Sequence, residues 1–251
     1  MPDFSNSVLA IFLIFCRVGS CLMLLPGFSS SLIPMQVRLF LAFAVSLALS
    51  PVLLPTLLPL VTVGSDADRL ATIASEILNG LFIGLLGRCF MIALQFGGHI
   101  IAQGIGMGQT LGVAMEDDAG ADPALVTLVT MTATVLIFIL NLHAEIAKAL
   151  VASYSAIPVA GGFAVRANLA SLVDNLSESF LLCLRISSPF ILYAVIVNFA
   201  IGLANKLTPQ IPVYFISLPF VLAGGLVVFG YSVGDFLILF MQDFQKWVML
   251  G

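Results

Sequence analysis

Charged residues are scarce in this sequence. Nine lysine and arginine residues and thirteen aspartate and glutamate residues make up 9% of its 251 positions, whereas soluble domains hold about 25%. A soluble core could not bury the 61% of residues that are hydrophobic, and the excess would form large apolar patches in water. The mean hydropathy of +1.16 agrees. The composition therefore predicts an integral membrane protein.

Basic residues are too few and too scattered for a nucleic-acid-binding surface. The formal net charge is −4 at pH 7, and binding to phosphates needs clustered lysine and arginine side chains. We therefore expect no nucleic-acid partner.

Residues that commonly carry chemistry are also few. His99 and His143 are the only histidines, and neither belongs to an H-E-x-x-H zinc motif. The four cysteines lie in apolar stretches without a Cys-x-x-Cys pair, which favours buried hydrophobic roles. We expect no enzyme activity, no bound metal and no cofactor.

Long hydrophobic runs, by contrast, are abundant. Crossing a membrane takes about 20 apolar residues, and six stretches are long enough to be considered. They cover approximately 8–25, 37–58, 77–105, 124–142, 180–203 and 213–233. The predicted fold is all-α, with about six long hydrophobic helices, some of them broken.

Two helix boundaries follow from local sequence. Pro51, the first of three prolines spaced four residues apart, predicts that the second helix ends near Ser50. From Asp235 onward, polar and aromatic residues fall on different helical faces, which predicts an amphipathic terminal helix.

Several charged residues lie in these apolar stretches or at their ends. A charge at the bilayer centre costs roughly 2.5–3.5 kcal/mol, so it normally faces protein, water or an opposite charge. Either these residues pair with one another or reach the membrane surface, or they line a pathway and contact other subunits. They are Arg17, Glu76, Arg88, Glu178, Arg185 and Lys206.

The segment 97–122 combines many glycines with a cluster of acids. A dinucleotide-binding fingerprint would need glycine where Gln109 stands, so that interpretation fails. Helical spacing gives a small-residue face for close helix packing, formed by Gly104, Gly108 and Gly112. The same spacing gives a polar stripe for hydrogen bonds between helices or for lining an aqueous path, formed by Gln95, His99 and Gln103.

Three stretches of the chain resemble the FliR family of flagellar export-gate proteins, the T-type subunits of type III export systems. They are "RVGSCLMLLPGFSSSLIPMQVRLFLAFAVSLALSP" (17–51), "YSAIPVAG" (154–161) and "ANKLTPQIPVYFISLPF" (204–220). The third stretch contains the most diagnostic family residues, Asn205, Lys206, Pro209 and Gln210. A helix break is expected at Pro209. Pro212 departs from the polar residue common in the family, which weakens the transfer of local backbone detail.

The resemblance implies a single export-gate membrane domain over 1–251. Its P-like N-terminal part and Q-like C-terminal part would meet near 160–180. Such proteins assemble with P-type and Q-type subunits (FliP and FliQ), the switch subunit FlhB and FlhA. Together they form a helical cone in the bacterial inner membrane, embedded in lipid at the flagellar basal body. Unfolded exported proteins pass through its central pore.

The family also implies a pore plug, which corresponds here to roughly Gly106–Asp122. Met107, Leu111, Val113 and Met115 would obstruct the closed pore, since methionine makes a deformable seal. Gly106 and Gly108 belong to the same plug. The acids would face the aqueous lumen: Glu116, Asp117, Asp118 and Asp122.

Two alternatives stay open. A small secondary transporter would bind a solute at intramembrane charges and broken helices. The chain could also be the injectisome paralogue of the same gate, because both systems carry related subunits.

Overall fold

The computed structural model describes residues 4–29, 33–61, 66–107 and 123–250. Within these ranges the chain forms seven α-helices, one short 3-10 helix and no β-strand, which confirms the all-α prediction. The helices are α1 (Phe4–Leu24), α2 (Met35–Val61), α3 (Asp66–Gly104), α4 (Ala124–Ile139), α5 (Leu142–Ala156), α6 (Val165–Leu207) and α7 (Val213–Leu250). The 3-10 helix, Val159–Gly161, lies between α5 and α6.

The number of membrane-spanning helices also matches the prediction. In the part of the chain that the structure describes, five helices are long and apolar enough to cross a membrane, and α4 with α5 could form a sixth, bent span. Their outward faces carry large apolar side chains, such as Phe199 (69% exposed) and Phe215 (73% exposed). An outer surface of this kind suits lipid or partner helices and not water.

The prediction that α2 ends near Ser50 is wrong, because the helix continues through three prolines to Val61. Pro51 has no N–H and so leaves the Leu47 carbonyl without its helical donor. The Ser50 hydroxyl donates to that carbonyl at 2.8 Å. Membrane helices tolerate proline when a nearby hydroxyl pairs the freed backbone group.

The same arrangement recurs in α6, where Ser188 precedes Pro189. The proline removes the donor for the Arg185 carbonyl, and the Ser188 hydroxyl donates to it at 2.9 Å. A serine directly before a proline therefore maintains both helices across the missing bond.

Replacing Ser188 by alanine should destabilise the protein by about 1–3 kcal/mol, since a backbone carbonyl would lose its donor. The thermal unfolding midpoint in detergent measures this effect. Ser171→Ala is the control, because the Ser171 hydroxyl bonds the Ala167 carbonyl in the same helix with no proline nearby. Equal midpoints for the two variants would contradict the prediction.

The fourth apolar stretch forms α4, and a further helix, α5, follows it directly. Asn141 has a left-handed backbone (φ 56°), and α4 and α5 meet there at 72°. Asparagine tolerates this conformation better than most residues. Helix α5 is missing from the predicted spans because Glu145 and Lys148 interrupt its apolar sequence.

From Asp235 onward, polar and aromatic residues lie on different faces of the helix, as predicted. These residues do not form a helix of their own. Phe236, Phe240 and Phe244 are buried, whereas Asp235 and Gln242 are exposed. The segment simply continues α7, because its glycines do not interrupt the helix.

The chain divides into two compact units, each built from separate parts of the sequence. The first unit comprises 1–90, 137–177 and 245–251, and the second comprises 91–136 and 178–244. The division into P-like and Q-like parts stays a prediction.

Candidate functional site

A fully buried ion pair lies in the first unit. The Arg17 guanidinium on α1 donates to the Glu76 carboxylate on α3 through Nε (2.7 Å to Oε2) and Nη2 (2.6 Å to Oε1). Neither side chain has exposed surface. This two-pronged geometry is the strongest that the two groups can form. For this pair, the structure shows the first of the two alternatives, pairing within the chain.

Arg17 also holds the end of α5. Its guanidinium donates to the carbonyls of Ser153 (3.1 Å) and Ile157 (3.0 Å) and lies over the Tyr154 ring, 4.1 Å from its centroid. The Ser153 carbonyl also accepts from the Ile157 N–H at 2.8 Å. The Ile157 carbonyl lies past the last turn and has no donor within the helix, so Arg17 supplies one. The first and second stretches that carry the family resemblance thus meet at one buried arginine.

Two glycines bring α1 and α3 close enough for this contact. A Cβ atom at Gly80 would overlap the Arg17 carbonyl oxygen and the Ser20 hydroxyl, and one at Gly84 would lie 2.6 Å from the Cys21 carbonyl oxygen. Glycines four residues apart allow membrane helices to approach backbone to backbone. The same spacing rule applied to 77–105 could have found this pair.

Of the predicted packing face of Gly104, Gly108 and Gly112, only Gly104 belongs to the described residues, and the face as a whole stays a prediction. Helix α3 ends at Gly104, and Gly106 has a left-handed backbone with φ 84°. Gly108 and Gly112 lie outside the described residues. Gly104 itself does pack closely, since a Cβ there would lie 3.1 Å from the Phe190 carbonyl oxygen on α6.

The predicted polar stripe runs along the last turns of α3, in the second unit. Gln95 and Gln103 are exposed, and His99 is half-buried. Gln103 borders a groove of about 530 Å³ together with Asn198 on α6. A role in hydrogen bonding between helices or in lining a water path stays a prediction.

Of the predicted plug, only Gly106 and Met107 belong to the described residues, and both are half-buried. The others lie outside the described residues: Gly108, Leu111, Val113, Met115, Glu116, Asp117, Asp118 and Asp122. Their role as a plug stays a prediction.

The remaining intramembrane charges are exposed: Arg88, Glu178 and Arg185. The guanidinium groups of Arg88 and Arg185 make no hydrogen bond or ion pair with any residue that the structure describes. These two cations therefore differ from Arg17, whose donors are occupied within the chain.

The third resemblance stretch contains the expected helix break. Helix α6 ends at Leu207, a turn includes Pro209 and Gln210, and α7 begins at Val213. Asn205 and Lys206 are exposed in the last turn of α6, where a cation complements the partial negative charge of the helix end.

The sequence 230–234 spells G-Y-S-V-G and so matches the G-x-S-x-G motif of hydrolases. That motif works on a sharp turn between a strand and a helix, whereas these residues lie within α7. The Ser232 hydroxyl donates to the Val228 carbonyl of the same helix. The match therefore supplies no nucleophile.

Comparison with known proteins places the chain among export proteins. The family described as "Bacterial export proteins, family 1" matches residues 8–247. The flagellar biosynthetic protein FliR of Caulobacter vibrioides is 28% identical over 237 residues, covering 93% of this chain and 92% of the relative. FliR of Aquifex aeolicus is 28% identical over 239 residues, covering 95% and 90%. FliR of Escherichia coli is 26% identical over 212 residues, covering 84% and 78%.

Proposed function

Because the chain belongs to the bacterial export proteins of family 1, we propose that it is a structural and gating subunit of the flagellar protein export channel. The match over nearly the whole chain is the observation that carries this proposal. The names of its FliR relatives and the multiple apolar helices support a multi-pass protein of the bacterial inner membrane.

Its neighbours in this proposal are the P-type and Q-type subunits FliP and FliQ, together with FlhB and FlhA. Unfolded flagellar proteins would pass through the shared pore. The chain contributes no reaction of its own, and its part is to hold a wall of the channel and to help close it.

The buried ion pair favours this function over a solute transporter. A transporter site at intramembrane charges needs room for a solute between them. The Arg17 and Glu76 side chains bond each other directly and have no exposed surface. The pair therefore suits a rigid scaffold and not a binding site.

Purification from cells tests the proposal. A tagged chain, co-expressed with its genomic neighbours and extracted in mild detergent, should purify in a large complex with P-type and Q-type subunits. The same chain expressed alone is the control for complexes that form without those subunits. A stable monomer with no such partners, despite co-expression, would put the transporter function first.

Deleting residues 110–119 should make the assembled channel leak small solutes, because the proposed plug would lose its obstructing side chains. Membrane conductance and uptake of a small dye measure the leak. A variant with a ten-residue glycine-serine segment in place of 110–119 separates the effect of side chains from that of chain length. Unchanged leakage in both variants would show that this segment does not close the pore.

A further inference from the structure

We propose that Arg185 docks a partner subunit by binding a carboxylate on one of that partner's membrane helices. The proposal rests on the proposed function and adds to it the chemistry of a particular contact.

Arg185 is an isolated cation on a long apolar helix. It is the only charged residue between Glu178 and Lys206 on α6. Its side chain is exposed and forms no hydrogen bond or ion pair with the residues that the structure describes. The Ser188 hydroxyl bonds only the Arg185 backbone carbonyl, so every N–H donor of the guanidinium is available.

The surface around Arg185 is apolar. Leu181 and Leu192, which share its side of the helix, are 60% and 61% exposed. A cation on such a surface is expensive in a membrane unless a countercharge meets it. Arg17 shows how this chain satisfies an arginine in an apolar environment, namely with a carboxylate from another helix.

A second copy of the same chain does not fit this surface. Copies of a membrane protein share one orientation, so a two-fold axis along the membrane normal would set α6 parallel to its counterpart. Arg185 would then face Arg185 of the second copy, and like charges would repel. Glu178 lies about 10 Å farther along the helix at 1.5 Å per residue, too far to relieve that repulsion. We therefore assign the countercharge to a different chain.

Arg185→Gln and Arg185→Glu test the contact in the co-expressed complex. We expect both variants to fold, since the side chain is exposed, but to bind the other gate subunits about 30-fold or more weakly, as happens when a desolvated charge pair loses one partner. The loss of binding should be greater for Arg185→Glu than for Arg185→Gln. Swimming should decrease in the same order. Arg166→Gln and Arg166→Glu are matched controls, because Arg166 is exposed on the same helix before its apolar stretch.

A second arm identifies the partner group. In the Arg185→Glu background, each aspartate and glutamate in the membrane helices of the co-purifying subunits is changed to lysine. One such change should restore both co-purification and swimming.

Three outcomes would decide against the proposal. Arg185 variants that match the Arg166 variants would show that the residue is not a contact. Failure of every lysine change to restore binding would show that the countercharge is not on a partner chain. Rescue by a raised content of anionic lipid would assign the contact to lipid phosphate. Failure of the proposed function would be seen separately, because the wild-type chain would then co-purify with no gate subunits.

Discussion

Glu76→Ala should strongly destabilise the first unit. The Arg17 guanidinium would remain in a completely buried position without its countercharge. Breaking a buried ion pair by removing one partner costs about 3–5 kcal/mol, a large share of the 5–15 kcal/mol typical of a whole domain. We expect little protein in the membrane fraction, a strongly lowered unfolding midpoint and no swimming.

The double variant Arg17→Met with Glu76→Leu should be less damaged than either single variant, because no unpaired charge remains. It should still fall below wild type, since the Ile157 carbonyl loses its donor. The unfolding midpoints of the four proteins form a double-mutant cycle. If the effects of the two substitutions on stability were simply additive, Arg17 and Glu76 would not be energetically coupled.

Glu145→Ala serves as the control for loss of an ion pair as such. Glu145 accepts from Lys148 at 2.8 Å within α5, and the lysine side chain is 73% exposed. Exposed pairs contribute less than about 1 kcal/mol. A midpoint close to wild type for this variant would assign the effect at Glu76 to burial.

Gly80→Ala is the second change with a large expected effect. The added methyl group would overlap the Arg17 carbonyl oxygen, which belongs to the backbone and cannot rotate away. Overpacking costs about 1–3 kcal/mol in well-packed cores. Here the loss should be greater, because moving α1 away from α3 also stretches the bonds between Arg17 and Glu76.

Gly230→Ala is the matched control, since a Cβ at that helical position would meet nothing within 4 Å. It should be neutral or stabilise the helix by about 1 kcal/mol, the difference in helix propensity between alanine and glycine. Unfolding midpoints and the yield of assembled complex compare the two variants. Equal behaviour would mean that α1 and α3 do not depend on the close approach at Gly80.

These effects connect the buried cluster to the proposed function. A subunit that holds the wall of a protein channel must keep its helices in place while polypeptides pass. Arg17 joins α1, α3 and the end of α5 through side-chain and backbone bonds. Contacts of this kind are most costly to lose where they are completely buried, as the Arg17 and Glu76 side chains are.

The sequence by itself determined the class of protein, the helical fold and most of the apolar helices. Hydrophobic runs of about 20 residues have few stable structures in lipid besides the α-helix, because every backbone group needs a partner within the segment. The family could also be identified from the sequence, since its three motifs are local. The break near Pro209 followed from local chemistry for the same reason.

Predictions of helix boundaries from local sequence failed where one side chain or the backbone conformation of one residue decided whether the helix continued. The continuation of α2 past Pro51 depends on the Ser50 hydroxyl, and the bend between α4 and α5 depends on the left-handed backbone at Asn141. At both sites the local sequence is compatible with a helix that continues and with a helix that ends.

Only the tertiary structure decided which charges pair. Arg17 and Arg185 both lie in apolar stretches of their helices, yet the donors of Arg17 are occupied within the chain and Arg185 is exposed. Glu76 is 59 residues away from Arg17 in the chain. Periodicity gives the face of a helix on which a charge lies, but not the helix that this face meets. The pairing was fixed by the approach of α1 to α3 at Gly80, because a bond of this kind forms only when the two groups come within about 3 Å of each other.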